Sequence, residues 1–311
     1  MLRLVATNFC LRNFSKRYLR YEQDFGRARA GMEHALRLMP LPRGTELEER
    51  PLAADGRSLA ALRVRPFGRG ATILWLHGGA YCLGSPRGFA GMTAALARRA
   101  RGGVVLPDYR LAPEHPFPGA VEDCLLAYRA LLDEGVDPAL LVLGGDSAGG
   151  GLAFAVLHLL LAEGLPKPAA VVSFSPWVDL TASGESLRTL ADREVMLPVD
   201  RLPEIRAHYL AGADPRDPRA SPVFGGFEGA PPVLIQSSRH EILRDDARMM
   251  VARLRACGAT VTHDEWEGVP HVWQLFHPCL PEGDRALDAA GAFVAGHVAP
   301  QPRAPDQMAS R

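Results

Sequence analysis

Short, almost wholly apolar segments alternate with segments of helical periodicity through most of this chain, and this alternation constrains its fold most. Residues 140–143 are only leucine and valine, whereas residues 119–134 repeat apolar side chains every three or four positions. Such alternation is typical of a mostly parallel sheet covered by helices on both faces. We therefore predict an α/β fold with strands at 71–76, 103–107, 140–143, 169–174, 232–236 and 260–265, and helices at 89–101, 119–134, 152–162 and 285–298.

The regions outside this alternation predict additional elements. Two strands, 47–52 and 58–65, are expected on either side of an Ala-Asp-Gly turn at 54–56. Residues 1–40 have helical periodicity and end at a stretch that contains two prolines and a glycine. Residues 178–215 contain three prolines, many charges and no clear strand. Because insertions at the carboxyl side of a parallel sheet lie over the pocket, we expect this insertion and the N-terminal helices to form a lid.

These elements predict one α/β domain with a two-part cap. Residues 1–42 form the N-terminal helical cap segment, and residues 43–299 form the α/β domain with its cap insertion at about 178–215. Residues 300–311 are rich in proline and polar side chains, and we expect a disordered tail.

Charge and cysteine content exclude several classes of function. The chain has 35 basic and 35 acidic residues, so no overall field favours nucleic acid. Its five cysteines are scattered and form no C-x-x-C, which argues against a disulfide framework or a zinc site and favours the reducing cytoplasm. No stretch approaches the roughly 18 apolar residues that span a bilayer, so we expect no stable membrane insertion.

The first predicted helix is amphipathic. Apolar side chains recur at helical spacing in Leu2, Val5 and Phe9, among basic residues. We expect this apolar face to pack on the body of the protein, which is the common outcome for such helices. The alternative is that it lies on a membrane surface.

Ser147 lies in G-G-D-S-A-G-G, residues 144–150, between an apolar strand and a helix. A serine flanked by small residues at such a turn can adopt a strained backbone geometry that exposes its hydroxyl. The N–H of Ala148, at the helix N-terminus, then faces any anion that forms there. A chance match would rarely fall between a strand and a helix, so we interpret Ser147 as a nucleophile.

A serine nucleophile requires a base, usually histidine, and a carboxylate that orients the base. His271 lies in the loop G-V-P-H-V-W directly after the last predicted strand, and His277 is the second candidate. Glu241 follows the preceding strand by a few residues, where such an acid is expected. Asp245 and Asp246, one turn later, remain alternatives because carboxylates also favour helix starts.

An oxyanion intermediate requires N–H donors that are already in place. Residues 77–81, H-G-G-A-Y, follow the strand 71–76, and small residues there allow backbone amides to approach the substrate oxygen. We assign Gly78 and Gly79 as donors, together with Ala148. Ala80 retains an N–H, but we expect its methyl group to deny it left-handed backbone angles.

Together these motifs resemble the hormone-sensitive-lipase family of bacterial carboxylesterases, over roughly residues 70–275. The matching segments are H-G-G-A-Y at 77–81, D-Y-R-L-A-P-E-H-P-F-P at 108–118, G-D-S-A-G-G at 145–150, S-P-W-V-D-L at 175–180, E-I-L-R-D-D at 241–246 and G-V-P-H-V-W-Q at 268–274.

The resemblance implies an α/β-hydrolase core with a helical cap. It also implies ester hydrolysis through an acyl-enzyme, without a metal or another cofactor, and it supports Ser147, Glu241 and His271 as a catalytic triad. Many members have aspartate followed by proline at the acid position, whereas this chain has Glu241 followed by isoleucine. We expect segment 108–118 and His77 to support the oxyanion loop rather than to contact substrate.

The resemblance implies a small-molecule ester substrate with a short or medium acyl chain. We expect Tyr81, Trp177, Met196 and Leu197 to contact it. A lactone hydrolase or an acyl-sugar deacetylase would use the same triad, and a non-catalytic binding protein is a remote alternative because His271 is present in its motif. Family members often pair through the edge strand, here 260–265, which leaves a homodimer as an alternative to a monomer.

Overall fold

The computed structural model describes residues 2–65, 67–68 and 70–298, and the predicted tail at 300–311 lies outside these residues. The described strands include all six of the predicted apolar ones. They are β1 (Leu47–Glu49), β2 (Leu52–Ala54), β3 (Arg57–Leu59), β4 (Ala61–Val64), β5 (Thr72–Leu76), β6 (Gly103–Pro107), β7 (Leu141–Asp146), β8 (Ala170–Phe174), β9 (Val233–Ser238) and β10 (Val261–Trp266).

Eight strands form one sheet in the order β1-β4-β6-β5-β7-β8-β9-β10. The six strands from β5 to β10 are mutually parallel. At one side of the sheet, β4 pairs antiparallel with β6, and β1 pairs antiparallel with β4. The predicted α/β architecture is therefore confirmed. β10 is the edge strand at the other side of the sheet.

The two strands predicted at 47–52 and 58–65 are each divided, so this part of the prediction is wrong. β1 pairs with β4 in the large sheet, whereas β2 and β3 form a separate hairpin around Asp55 and Gly56. Pro51 separates β1 from β2, and it lacks the N–H that a continuous ladder requires. The turn residues have φ values of 52° and 71°, as a two-residue hairpin requires.

The helices lie where the periodicity predicts them, but three of them, including the last, which begins at Pro281, start three or four residues earlier. Ser85 caps the Gly88 N–H and Pro86 occupies the first turn, so the helix predicted at 89–101 begins three residues earlier. The helix after Ser147 begins directly at Ala148. The helices are α1 (Leu2–Cys10), α2 (Lys16–Tyr21), α3 (Phe25–Arg37), α4 (Pro86–Arg99), α5 (Gly119–Asp133), α6 (Ala148–Ala162), α7 (Ser186–Thr189), α8 (Leu202–Leu210), α9 (Arg244–Ala256) and α10 (Pro281–His297).

Helices cover both faces of the sheet because successive side chains of a strand point to opposite faces. In β5, Leu74 belongs to a buried apolar cluster that includes residues of α5, α6 and α9, whereas Ile73 and Trp75 belong to a second cluster that includes residues of α4 and α10. Among the described residues, no helix combines the length and the apolar character needed to cross a membrane.

The N-terminal helices and the 178–215 insertion bind each other above the sheet, and we call them together the cap. The Arg12 guanidinium donates to the carbonyl of Asp192 at 3.1 Å, and the Lys16 ammonium donates to that of Glu194 at 2.7 Å. Arg201, in the insertion, donates to the carbonyl of Glu22 at 2.8 Å. Basic side chains therefore hold the two parts of the cap together.

The outer face of α1 differs from the prediction. Asn8 donates to the carbonyl of Gly268 at 3.0 Å, and Leu11, just beyond the helix, is buried. These side chains attach the helix to the protein. Because the other side of the helix makes these contacts, the apolar face that we predicted to pack on the protein points outward. The exposed apolar residues of this face are Leu2, Val5 and Phe9.

Candidate active site

Ser147 occupies a strained turn between β7 and α6. Its φ and ψ are 53° and −123°, outside the regions that most residues adopt, as the sequence predicts. The turn is tight because α6 passes close to β5: a Cβ on Gly149 would lie 2.0 Å from the carbonyl oxygen of Leu76. Only glycine allows this approach, which places Ser147 at the carboxyl end of β7.

His271 and Glu241 form a buried pair beside this turn. His271 Nδ1–H donates to Glu241 Oε2 at 2.5 Å, and the other carboxylate oxygen accepts the Ser238 N–H at 2.7 Å. His271 is 2% exposed and Glu241 is 1% exposed. The carboxylate therefore fixes the imidazole and leaves Nε2 as its free nitrogen.

The environment raises the pKa of His271 above its ordinary value of 6.5. Burial alone would lower this pKa, but the hydrogen bond and the charge of Glu241 outweigh burial. The charges of Glu194 and Asp146 act in the same direction. The imidazolium form is therefore stabilised, as a base that accepts a proton during a reaction requires.

Ser147 and His271 line the same cavity, which runs between the carboxyl ends of the strands and the cap. Most of its walls are apolar, and both parts of the cap contribute to them. The lining residues are Leu19, Glu22, Phe25, Ala28, Met32, Gly79, Ala80, Cys82, Leu83, Phe89, Asp146, Ser147, Met196, Leu197, Pro198, Arg201, Leu202, Ile205, His271, Val272 and Leu275.

The loop after β5 presents Gly79 and Ala80 to this cavity, but not Gly78. Gly78 packs against the carboxyl of Asp146, since a Cβ on Gly78 would lie 2.2 Å from Oδ2 of that carboxyl. Gly78, which we assigned as an oxyanion donor, is therefore not among the residues that line this cavity. Gly79 and Ala80 are the backbone groups available on this side of the site.

Ala80 adopts the left-handed conformation that we expected its methyl group to exclude. Its φ is 54°, and the φ of Tyr81 is 62°. The N–H groups of Cys82 and Leu83 both donate to the carbonyl of Gly79, at 3.0 and 2.8 Å. This tight turn sets the backbone angles, and the left-handed conformation of a residue other than glycine costs about 1–2 kcal/mol.

His77 and segment 108–118 support this loop, as expected. His77 Nδ1–H donates to the carbonyl of Gly78 at 2.8 Å, and its ring stacks between Phe89 and Tyr109. The Tyr109 hydroxyl donates to the carbonyl of His77 at 2.7 Å. Burial lowers the pKa of His77 to about 4, so the ring is neutral and acts in support of the loop.

Of the four predicted substrate contacts, Met196 and Leu197 line the cavity. Tyr81 does not, because its ring stacks on that of Tyr209, with 3.9 Å between the ring centroids, and its hydroxyl donates to the carbonyl of Trp177. Trp177 is 4% exposed and lines a different recess, beside α7 and α8. Both aromatic residues therefore support the cap from beneath and do not line this cavity.

The alternative acid and base candidates have other partners. Asp246 accepts the N–H groups of Val178 and Asp179, both at 3.0 Å, and burial raises its pKa. Asp245 accepts the Ser186 N–H, and His277 lies 3.5 Å from Asp284. Of the candidate acids, Glu241 is the one that pairs with His271. Among the described residues, no cluster of His, Cys, Asp or Glu could hold a metal ion.

Two further buried carboxyls, which the sequence reasoning missed, lie near the pair. Asp146 precedes Ser147, and burial raises its pKa to about 7, although the Trp75 indole N–H donates to it at 2.9 Å. The only sequence signal was its position beside the serine.

Glu194 is 2% exposed and joins the cavity wall to the segment that contains Glu241. Its Oε1 accepts the N–H groups of Met196 and Leu197 at 2.7 and 3.1 Å, and its Oε2 accepts the Ile242 N–H at 3.1 Å. Ile242 directly follows Glu241. One carboxylate therefore positions both an apolar wall of the cavity and the segment that carries the partner of His271.

Comparisons with known proteins show the family to which this chain belongs. Residues 73–275 match the model of a family described as having the alpha/beta hydrolase fold. The chain is 48% identical over 225 residues to an acetyl-hydrolase of Streptomyces hygroscopicus, covering 72% of this chain and 75% of the relative. It is 35% identical over 259 residues to a putative acetyl-hydrolase of Mycobacterium tuberculosis, covering 83% and 82%.

Solved structures give the same result. The crystal structure of an esterase from the bacterial hormone-sensitive lipase family superposes with a TM-score of 0.90 at 39% identity. The match covers 96% of this chain and 99% of that chain.

Proposed function

This chain belongs to the α/β-hydrolase fold family, in its hormone-sensitive-lipase branch, and is a carboxylic ester hydrolase; we propose that it cleaves short- to medium-chain acyl esters through Ser147, His271 and Glu241. The observation that carries the proposal is the buried His271–Glu241 pair, which lines one cavity with the strained Ser147. This arrangement supplies a nucleophile, a base and an orienting carboxylate within one site.

In the proposed acylation step, His271 Nε2 accepts the hydroxyl proton as Ser147 Oγ attacks the ester carbonyl. Glu241 keeps the other nitrogen protonated and stabilises the imidazolium. The tetrahedral intermediate collapses when His271 returns the proton to the leaving alcohol. An acyl group then remains on Ser147 as an ester.

In the proposed deacylation step, water replaces the alcohol. His271 takes a proton from the water as the water attacks the acyl-enzyme carbonyl, and it then returns the proton to Ser147 Oγ. The carboxylic acid leaves and the resting enzyme is regenerated, so no proton or electron is left over. The same two residues therefore serve both half-reactions.

We propose that the N–H groups of Gly79, Ala80 and Ala148 stabilise the oxyanion in both steps. Gly79 and Ala80 line the cavity beside Ser147, and Ala148 is the first residue of α6. First-turn amides of a helix lack partners within the helix and face the positive end of its dipole. A donor of this kind typically lowers the barrier by about 3 kcal/mol.

The cavity walls favour an apolar substrate of limited length. Phe25, Met196 and Leu275 contribute apolar surface from three directions, and the cap covers the site. Sugar hydroxyls buried against such walls would lack hydrogen-bond partners, so the walls favour simple acyl esters over acyl sugars. Two relatives are named as acetyl-hydrolases, which makes acetyl esters the natural first substrates.

Hydrolysis of p-nitrophenyl esters of graded acyl length tests this proposal. We expect the highest kcat/KM for acyl groups between acetyl and hexanoyl, with a decline for longer chains. Replacement of Leu197 by alanine, which removes bulk from the wall, should shift the optimum toward longer chains. An optimum at long-chain acyl groups in the wild type would contradict the proposed specificity.

A further inference from the structure

The outward face of α1 is an unusual surface for this protein. Apolar side chains three and four positions apart lie on one face of a helix, and in α1 these side chains are largely exposed: Leu2 by 86%, Val5 by 62% and Phe9 by 64%. The Asn8 side chain attaches the other side of the helix to the carbonyl of Gly268. The apolar face is therefore held in place and presented to the surroundings.

The chain segment around this face is strongly basic. Residues 1–21 contain five lysine or arginine residues and no acidic residue, although the whole chain has a formal net charge of zero. Four of these cations line one surface cleft with residues of the insertion: Arg12, Lys16, Arg17, Arg20, Ala191, Asp192 and Glu194. We call this the cationic cleft.

The positive charge of the cationic cleft is only partly neutralised within the chain. Arg20 pairs with Asp200 at 2.9 Å, whereas Arg12 donates to neutral backbone carbonyls. In the described part of the chain, Arg17 and the nearby Arg3 form no ion pair.

Burial, neighbouring carboxylates and neighbouring cations all act on Lys16. Burial lowers the pKa of the Lys16 ammonium, and the charges of Arg20 and Arg12 lower it further, against the opposing charges of Glu194 and Asp200. The Glu194 carboxylate itself is directed away from the cationic cleft, since it accepts the N–H groups of Met196 and Ile242. An anion bound in the cationic cleft would relieve this repulsion.

We propose that α1 and the cationic cleft form a docking surface for a membrane that contains anionic phospholipids. The apolar face enters the boundary between headgroups and acyl chains, and the cations bind headgroup phosphates. An exposed apolar helix face beside Lys and Arg side chains is the combination that binds helices in the plane of a membrane surface. Such docking is peripheral and requires no membrane-spanning helix.

The proposed docking surface borders the active site. Leu19 and Glu22, at the end of the same helical segment, line the cavity that contains Ser147. Asn8 contacts the carbonyl of Gly268, three residues before His271. Docking therefore places the cap and the cavity at the membrane surface, where apolar esters partition. The proposal concerns binding and stands apart from the triad assignment.

Sedimentation of the full chain with sucrose-loaded vesicles tests the proposal. One set of vesicles contains phosphatidylcholine alone, and the other contains about one third phosphatidylglycerol. We expect binding to the anionic vesicles at low salt, weaker binding as NaCl is added, and little binding to pure phosphatidylcholine. Equal binding to both vesicles, or binding to neither, would overturn the proposal. Free inorganic phosphate should compete only weakly, since it lacks the apolar part.

Two double variants separate the apolar and charged parts of the surface. Val5→Ser with Phe9→Ser should reduce the partition coefficient more than tenfold. Arg3→Gln with Arg17→Gln should reduce it about fivefold per cation, because each contributes about 1 kcal/mol near an anionic surface. The matched control is Leu38→Ser with Phe224→Ser, which removes exposed apolar side chains elsewhere and should bind as the wild type does.

All variants should hydrolyse a soluble p-nitrophenyl ester at the wild-type rate and melt at a similar temperature, which shows that they are folded. Wild-type vesicle binding by the Val5→Ser, Phe9→Ser variant would overturn the role of α1. If the wild type instead binds no vesicles and is a dimer by light scattering, and this variant is a monomer, the face contacts a second copy of the chain and the membrane proposal is wrong.

Discussion

His271 Nδ1 lies 2.5 Å from Glu241 Oε2, in a pair that is almost fully buried. Ser238 ties both partners to the end of β9: its N–H donates to Glu241 Oε1, and its hydroxyl donates to the carbonyl of Val269 in the histidine loop. Such a pair is expensive to separate, because an unpaired buried charge is left behind. The geometry therefore fixes which nitrogen of His271 is free.

Ser147→Ala should reduce kcat by several orders of magnitude and leave the fold intact. The substitution removes the proposed nucleophile but keeps a small side chain in the strained turn. Steady-state kinetics with p-nitrophenyl acetate and a thermal melt would measure both effects. Ser58→Ala, at an exposed position on the β2–β3 hairpin, is the matched control. Retention of more than a tenth of the wild-type kcat in Ser147→Ala would contradict the nucleophile assignment.

Glu241→Gln should lower kcat/KM by a factor on the order of 10³, because an amide can neither stabilise the imidazolium nor favour the required tautomer. Glu241→Asp retains the charge at a shorter reach and should recover part of this loss. Kinetics of the two variants side by side make the comparison. If the glutamine variant were as active as the aspartate variant, the charge of Glu241 would not contribute.

The pH dependence of kcat/KM should follow the titration of His271. Because this pKa is raised above 6.5, activity should fall as the pH drops through a value above 6.5. Glu241→Gln removes the main raising effect while burial remains, so its midpoint should move to lower pH. The raised pKa of His271 also means that the His271–Glu241 pair contributes fully to the free energy of unfolding below pH 6.5. This contribution is lost as the pH rises through the raised pKa. A wild-type pH–rate profile with no midpoint, or with a midpoint below pH 6.5, would contradict this prediction.

Glu194→Ala should destabilise the protein by about 2–3 kcal/mol, because three backbone N–H groups lose a charged acceptor in a buried position. It should also raise KM, since the wall at Met196 and Leu197 is no longer held. Glu194→Gln keeps one acceptor oxygen and should lose less stability. Its loss of charge should still lower the midpoint of the pH–rate profile. Urea unfolding and the pH profile of both variants measure these effects, and an unchanged midpoint in Glu194→Gln would contradict the electrostatic role.

Gly79→Ala and Ala80→Gly should have opposite consequences. Gly79 has a φ of 127°, and a Cβ there would lie 2.2 Å from the carbonyl oxygen of Leu83. The alanine variant must therefore distort the loop and should lose at least a hundredfold in kcat if its N–H is a donor. Ala80→Gly relieves the left-handed strain and should keep wild-type activity. Kinetics and melting temperatures of the two variants would show whether the loop has this role.

The sequence alone was sufficient for the core of the fold and most of the proposed site. The parallel strands from β5 to β8 are rich in apolar residues, so their positions could be read directly. Ser147 follows one of these strands, and His271 follows the last predicted strand. Chain order limited the acid to a few residues near Glu241. The break at Pro51 was missed, although a proline cannot donate to a continuous ladder.

The remaining features depend on contacts between distant segments. Nothing in the sequence shows that Gly78 faces Asp146, or that Tyr81 stacks away from the cavity. Glu194 is an acid in a charged insertion, and only the fold shows that it is buried. The amphipathic pattern of α1 likewise reveals an apolar face but does not say on which side Asn8 attaches the helix to the protein.

Covalent labelling tests the central claim most directly. The wild type is incubated with diethyl p-nitrophenyl phosphate, a reagent that phosphorylates activated serines, and the intact protein and its peptides are then weighed by mass spectrometry. We predict one diethylphosphoryl group per chain, on the peptide that contains Ser147, together with loss of esterase activity and no label in Ser147→Ala. Stoichiometric labelling of another residue, or full inactivation without a label on Ser147, would contradict the account.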